Sequence, residues 1–340
     1  MVRFESCPHL CARQGITRRH EVPARQVVAR VVAVLRVAVA GAIGIALRRT
    51  TDRVLRRRRT PAYVARVYRR LLEACGIRLR VDGVRRDFAD HGEPVLVVAN
   101  HVSWLDVMAY AAVQPVTMVS KKEIGDWPVI GAVARAAGTI FIDRHNLRGV
   151  EQTRREVGRR LRGGEVVATF PEATTACGRG LAPMFPAMFQ AAVDAGVPVQ
   201  PVAFTWLDRH GTLTTAGAYV GDQPLFESIM AILGQRDLVL RIEILPRIMP
   251  KHVRPIDDRK ALRTAAAQQI AAALGPAVGD WEAHQRPITC VAGRLPVPVV
   301  EDPLTVLETL PTAAARAGLR PGADAGAGTV AGKPRTAGAA

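Results

Sequence analysis

The run Pro94-Val95-Leu96-Val97-Val98-Ala99 is apolar throughout and stops at Asn100-His101. An unbroken apolar run of that length, with no alternation, predicts a strand covered on both faces. Further short apolar runs predict strands at 117–120, 138–143, 166–170, 197–204 and 238–248, the last with partial alternation. Between them lie longer stretches that read as helices: 104–112, a helix or loop around 127–136, and a polar one over 147–161 ended by Gly163-Gly164. Two more follow, 184–195 stopped by Gly196 and the alanine-rich 259–274. Strands that alternate with helices predict an α/β protein, a mixed and largely parallel central sheet flanked by helices, beginning near Ile77.

The flanks read differently. Residues 1–26 form a basic leader, and 27–76 read as two helices separated by Arg56-Arg57-Arg58-Arg59 and Pro61. Residues 77–285 hold the α/β domain, and 286–340, rich in Pro, Ala and Gly, predict a disordered tail. The apolar stretch 31–47 starts too late for a standard signal peptide and is broken by Arg36, leaving eleven clean residues. Eleven residues are too few to span a bilayer, and seventeen with an arginine inside are marginal. An interfacial helix, or one arm of a re-entrant hairpin with 62–72 as the other, fits best; a buried core helix and a single span are the competing readings.

Charge adds a partner. The formal net charge is +17 over 340 residues, which favours an anionic surface or substrate. Residues 1–60 hold 14 Arg against three acidic residues, so the charge concentrates beside the apolar segment. That placement favours anionic lipid headgroups on the cytoplasmic face of the cell membrane, with peripheral or monotopic attachment. Nucleic acid is the competing partner raised by the arginine content, but no zinc finger or RNA-binding motif accompanies it, and none is expected to bind. Five scattered cysteines fit a reducing compartment rather than a disulfide framework. Cys7-Pro8-His9-Leu10-Cys11 offers at most three ligands, short of the four a structural zinc wants, so no metal is expected.

The chemistry is expected at the exit of the first apolar strand. His101 and Asp106 stand five residues apart there. On a continuous helix they would be rotated about 140° from each other, a poor geometry for contact. The pair works if His101 lies in the strand-to-helix turn, Ser103 caps the helix and Asp106 reaches back from its first turn. An imidazole held by a carboxylate is a proton acceptor suited to neutral pH. The alternative is a capping aspartate beside a packing histidine. Glu172 and Arg144, each just past a predicted strand, sit where open α/β folds place their sites, although capping and surface roles stay open for them.

Asn100-His101-Val102-Ser103-Trp104-Leu105-Asp106 resembles the His-x4-Asp motif of the glycerolipid acyltransferase family, whose best-known members are the 1-acylglycerol-3-phosphate acyltransferases. Gly138-Thr139-Ile140-Phe141-Ile142-Asp143-Arg144, Phe170-Pro171-Glu172-Ala173-Thr174-Thr175 and Val197-Pro198-Val199-Gln200-Pro201-Val202 resemble its later motifs, in order. Lys121-Lys122-Glu123 and Trp127-Pro128-Val129-Ile130-Gly131 resemble the link between the first two. The resemblance covers roughly 77 to 250.

It implies an O-acyltransferase moving a fatty acyl group from an acyl thioester, acyl-CoA or acyl-carrier protein, to the free hydroxyl of a lysophospholipid, without a cofactor. His101 is then the general base and Asp106 its partner; Arg144, Glu172, Thr174, Thr175, Arg179 and Lys121 are the expected substrate-binding residues, and the Pro201 region shapes a substrate surface. Where the family has Gly then Thr-Arg after Pro-Glu, this chain has Ala173-Thr174-Thr175. A positive φ at Ala173 would then be strained. A phosphate ligand is lost, with Arg179 the candidate replacement. The Thr-Thr ending resembles a bacterial subgroup acylating lyso-ornithine lipid. The first expectation for the acceptor is 1-acyl-sn-glycerol-3-phosphate, giving phosphatidic acid; the alternative is lyso-ornithine lipid, giving ornithine lipid.

Overall fold

Val95–Ala99, β2, is buried at every position because successive side chains enter two different cores. Val95, Val97 and Ala99 point into one cluster; Leu96 and Val98 point into the other. That two-sided burial explains why the sequence shows no alternation there. The structure is a computed structural model and describes residues 22–55, 60–128, 130–221, 223–250 and 255–275.

Seven strands form one sheet in the order β1-β7-β6-β2-β5-β3-β4. They are β1 (Ile77–Gly83), β2, β3 (Thr117–Lys121), β4 (Ile140–Ile142), β5 (Val166–Thr169), β6 (Val199–Leu207) and β7 (Leu238–Ile244). β6, β2, β5, β3 and β4 run parallel; β7 is antiparallel to β6, and β1 runs parallel to β7. The mixed, largely parallel sheet is as expected. β1 carries a signal the apolar runs did not: Ile77, Leu79 and Val81 alternate with Arg78, Arg80 and Asp82, as on a sheet edge.

Two layers of helix cover the sheet. On one face α2 (Thr60–Ala74), α3 (Leu105–Val113) and α8 (Leu225–Leu233) contribute to the core around Leu72, Leu105, Tyr110 and Ile232. On the other, α6 (Leu147–Arg162), α7 (Ala187–Ala195) and α9 (Pro255–Leu274) pack around Leu161, Phe189 and Leu262. α5 (Ile130–Ala136) falls where a helix or loop was expected around 127–136, and a further short helix, α4 (Lys122–Gly125), precedes it. α7 begins after Pro186 rather than at Met184, since a residue preceding proline is driven out of the helical region. It ends at Gly196, whose φ of 66° suits a residue without a Cβ.

The N-terminal helix α1 (Ala24–Leu55) is the first of the two expected helices, starting three residues before 27 and unbroken through Arg36. Within it, Ala24–Asp52 is long and apolar enough to cross a membrane by length and composition; its most apolar window has mean hydropathy 2.1 and is only 6% buried. Val28, Val32, Leu35, Val39, Ile43 and Leu47 recur at helical spacing and are all exposed. An apolar helix left uncovered by protein is suited to membrane association. It nonetheless lies along the domain, tied at both ends. Val22 N–H donates to Gly234 O (2.8 Å), Arg30 Nη1 donates to Leu233 O (2.8 Å), and Arg49 Nη1 donates to Ala136 O (3.4 Å).

α2 packs against α1, where Val67 and Tyr63 fill the space beside Gly41 and Gly44. It also gives Leu72, fully buried, to the sheet's core. The boundary drawn at residue 77 therefore cuts through packed structure. The leader up to 21, the arginine block 56–59, the end of the expected α/β domain at 276–285 and the whole tail 286–340 lie outside the described residues.

Candidate active site

Parallel strands put their carboxyl ends on one edge, and that edge gathers the separated motifs. β2 delivers His101, β5 delivers Phe170 to Thr175, β3 ends at Lys121, and β4 is followed by Arg144. As β2 leaves the sheet, Asn100 continues its pairing with β6 through its side chain. Asn100 Nδ2 donates to Phe204 O (2.9 Å), and Phe204 N–H donates to Asn100 Oδ1 (2.8 Å). His101 therefore starts from a fixed anchor.

Asp106, fully buried in the first turn of α3, reaches back to the imidazole: Nδ1 lies 3.0 Å from Oδ2. The same Oδ2 accepts the backbone N–H of Val102 and of Ser103, both at 2.7 Å. Three donors on one oxygen hold the carboxylate as an anion and place Nδ1–H toward it, which leaves Nε2 as the basic nitrogen. The capping and pairing readings of Asp106 thus both apply. Ser103 caps the helix weakly: Trp104 already has helical backbone angles, and Ser103 Oγ accepts Leu105 N–H at 3.4 Å. Ser103 is also fully buried, which removes it as a nucleophile.

The imidazole stacks on Phe170, with ring centroids 3.8 Å apart and planes 9° from parallel. Its backbone is held by Glu172, whose Oε2 accepts His101 N–H (2.7 Å) while Oε1 accepts Ala182 N–H (2.8 Å). Glu172 is 2% exposed, and burial pushes its carboxyl up to about 8 against the pull of those two amides. With both oxygens spent on backbone and no face on the cavity, Glu172 clamps the His101 loop to the loop after β5. The expected substrate contact is corrected to this role.

His101 opens on a cavity of about 1650 Å³ bounded by α1, α2, α3, α5 and the ends of β3 to β5. Its wall is mainly apolar, with Ala42, Ile45, Val67, Leu71, Met108 and Val133 among the lining side chains. The polar residues gathered on it include Lys121, Arg144, Thr174 and Thr175, the expected substrate side. Lys121 Nζ lies 5.9 Å from the centre of the Trp127 ring. Arg144 Nη1 donates to Ala173 O; burial lowers its guanidinium from the ordinary value, opposed by the charge of Glu123. Arg179 is exposed and off the cavity wall, so it does not replace the missing arginine there. Pro201 is buried inside β6 and is also off the wall.

Ala173 has φ 55°, the strained backbone anticipated for a residue standing where the family has glycine. A Cβ in that region costs about 1–2 kcal/mol. The position lies between Glu172 and the threonines that face the cavity, so the strain is held by the clamp on one side. Site features missed from sequence are Phe170 as the imidazole's stacking partner and the α1–α2 wall of the cavity. Phe170 was visible as the last apolar residue before Pro171. The α1–α2 wall had no such signal, because it arises from packing between elements distant in sequence.

Comparison with known proteins agrees with this geometry. Residues 79–205 match the family described as Acyltransferase. The chain is 37% identical over 206 residues to the 1-acyl-sn-glycerol-3-phosphate acyltransferase of Neisseria meningitidis, covering 61% of this chain and 78% of that protein. It is 34% identical over 223 residues to the lyso-ornithine lipid O-acyltransferase of Pseudomonas aeruginosa, covering 65% and 80%. The crystal structure of the 1-acyl-sn-glycerophosphate acyltransferase PlsC from Thermotoga maritima shares the fold, with a TM-score of 0.53, 17% identity, and coverage of 75% of this chain and 99% of that one. A His-x4-Asp pair at the carboxyl edge of this sheet, within a chain that matches such relatives over most of their length, makes the protein a member of the acyltransferase family.

Proposed function

We propose that the protein transfers a fatty acyl group from an acyl thioester to the free hydroxyl of a lysolipid, with 1-acyl-sn-glycerol-3-phosphate as acceptor and phosphatidic acid as product. The observation that carries this is the 3.0 Å contact between His101 and buried Asp106, opening on an apolar cavity large enough for a lipid chain. His101 Nε2 takes the hydroxyl proton as the oxygen attacks the thioester carbonyl. Asp106 stabilises the imidazolium that forms. The tetrahedral intermediate then expels the thiolate, which leaves as thiol with the imidazolium's proton. The donor is acyl-CoA or acyl-carrier protein, and no metal or other cofactor enters the reaction as written.

Lys121, Arg144, Thr174 and Thr175 line the cavity with His101 and form the polar end for the acceptor's headgroup. Arg144, planar and rigidly held, suits a phosphate. A second reading rests on one observation: the chain is also similar to lyso-ornithine lipid O-acyltransferases, and its Ala173-Thr174-Thr175 segment offers no arginine for a phosphate. One labelled acyl thioester offered with lysophosphatidate and lyso-ornithine lipid together tests both. Labelled phosphatidic acid is expected, and labelled ornithine lipid selects the second reading. Free fatty acid with no acylated product would make the protein a hydrolase. Arg144→Ala is expected to raise KM for the phosphorylated acceptor by about 10–100-fold, the worth of a charge-assisted bond, and far less for the ornithine acceptor.

The enzyme works on the cytoplasmic face of the cell membrane, attached without crossing it. This reading is supported by Arg30 and Arg49, which tie α1 to the domain near both ends, and by the exposed apolar stripe that would face the lipid along the interface. The arginines of the front end add attraction to anionic headgroups, about 1 kcal/mol for each one near the surface. Leu35→Asp with Val39→Asp is expected to cut binding to anionic vesicles by about 10²–10⁴-fold, since each loses about 1.5–3 kcal/mol of apolar burial. Unchanged cosedimentation of the folded variant would remove α1 as the attachment surface.

A further inference from the structure

Asp106 uses one oxygen three times and the other not at all. Its Oδ1 is buried and finds no hydrogen-bond partner among the described residues. One turn along α3, Tyr110 is fully buried, and its hydroxyl also has no partner among them. An orphaned carboxylate oxygen and an orphaned phenol four residues apart on one helix are an unusual coincidence, since buried polar groups are nearly always satisfied. Helical aromatic side chains point back over the turn toward the N-terminus, which carries the Tyr110 hydroxyl toward the Asp106 turn.

The ring is held independently of the hydroxyl. Phe88 and Phe204 meet it edge-on, at centroid distances of 5.4 and 5.0 Å. Phe170, which stacks on the imidazole, lies 5.3 Å away. Packing therefore accounts for a phenylalanine at this position but not for the oxygen. The geometry points to Tyr110 as a positioning residue whose hydroxyl, through one bridging water, donates to Asp106 Oδ1 and holds the carboxylate that orients His101. This rests on the assignment of His101 and Asp106 as the catalytic pair. Burial, with the nearby Asp106 charge, pushes the phenol well above its ordinary value, so it keeps its proton and stays a donor.

The remaining titratable groups around the pair are His101, Glu172 and Cys177. Tyr110→Phe removes the oxygen and leaves the ring contacts in place. Without that donor the carboxylate anion is less stabilised, and the Asp106–His101 pair holds a proton more tightly. The acid limb of the kcat/KM pH profile should then move to higher pH by about 0.5–1 unit, and kcat/KM at the optimum should fall about 10–100-fold, the worth of one hydrogen bond to a charged group. Phe88→Leu, which disturbs the same packing without touching the oxygen, should lower the melting temperature and leave the acid limb where it is. A folded Tyr110→Phe enzyme with an unmoved acid limb overturns the inference, whether or not its rate falls, because a packing role alone would then suffice. Turnover surviving in His101→Ala overturns the base assignment and this inference with it. An inert His101→Ala beside an unaltered Tyr110→Phe overturns this inference alone.

Discussion

His101→Ala is expected to lower acyl transfer by about 10⁴-fold or more while the protein stays folded. The loss is large because, among the described residues, no other group is placed to take the hydroxyl proton there. Glu172, the nearest carboxylate in the loop after β5, has both oxygens turned to backbone amides, and Ser103 is sealed in the core. Folding should survive because what the loop needs from residue 101 is its main chain. The N–H to Glu172 and the carbonyl that accepts Ala176 N–H (2.8 Å) are both kept by alanine. What goes is the stack on Phe170, worth about 0.5–1.5 kcal/mol beyond burial. Turnover at saturating substrate, melting temperature and vesicle binding measure these separately. Added imidazole should restore part of the rate by occupying the vacated space, a response that a misfolded variant cannot give. Near-normal turnover by folded His101→Ala would end the assignment.

The central strands were legible because their burial is two-sided. β2 reads as Val-Leu-Val-Val-Ala and is found at the residues expected. α8 was missed although Pro224 precedes it and Leu225, Ile229 and Ile232 follow at helical spacing, a signal diluted by the exposed Phe226 and Met230. α1 is legible as the first of two helices ahead of the arginine block, but Arg36 shortens its clean apolar run to eleven residues and so argues against a span. In the fold, α1 is exposed for most of its length and packs through only one side, so a single arginine on it needs no burial. Length limits derived from an unbroken apolar run do not apply to such a helix.

The site was legible as letters and only partly as roles. Spacing placed His101 in a turn and Asp106 one helical turn in, and the contact follows from that. A glutamate after a strand looks the same whether it faces a ligand or clamps a loop, because the deciding partners, His101 and Ala182, belong to segments that only the fold brings together. Arg179 illustrates the converse. It sits four residues past Thr175, yet the loop turns it to solvent, so proximity in sequence did not make it a substitute for the absent arginine. The glycine-to-alanine change at 173 was the opposite case, a purely local argument about φ that needed no tertiary information.

Asp106→Asn is expected to cost about 10²–10⁴ in kcat/KM with little change in stability, and the contrast with Asp106→Ala makes the reason visible. In asparagine the amide oxygen can take the place of Oδ2 and keep the N–H groups of Val102 and Ser103, so the turn into α3 persists. The amide nitrogen then occupies the position of Oδ1, where the Tyr110 hydroxyl and its bridging water can turn from donor to acceptor, so neither group loses its partner. What disappears is the negative charge beside the imidazole, and with it the stabilisation of the imidazolium formed as the hydroxyl loses its proton. Alanine removes the acceptor as well. Two buried N–H groups are then stranded, at about 1–3 kcal/mol each, so this variant should melt markedly lower besides being inactive. If Asp106→Asn retained wild-type kcat/KM at the same melting temperature, the carboxylate would be a helix-capping device alone, and His101 would act without it.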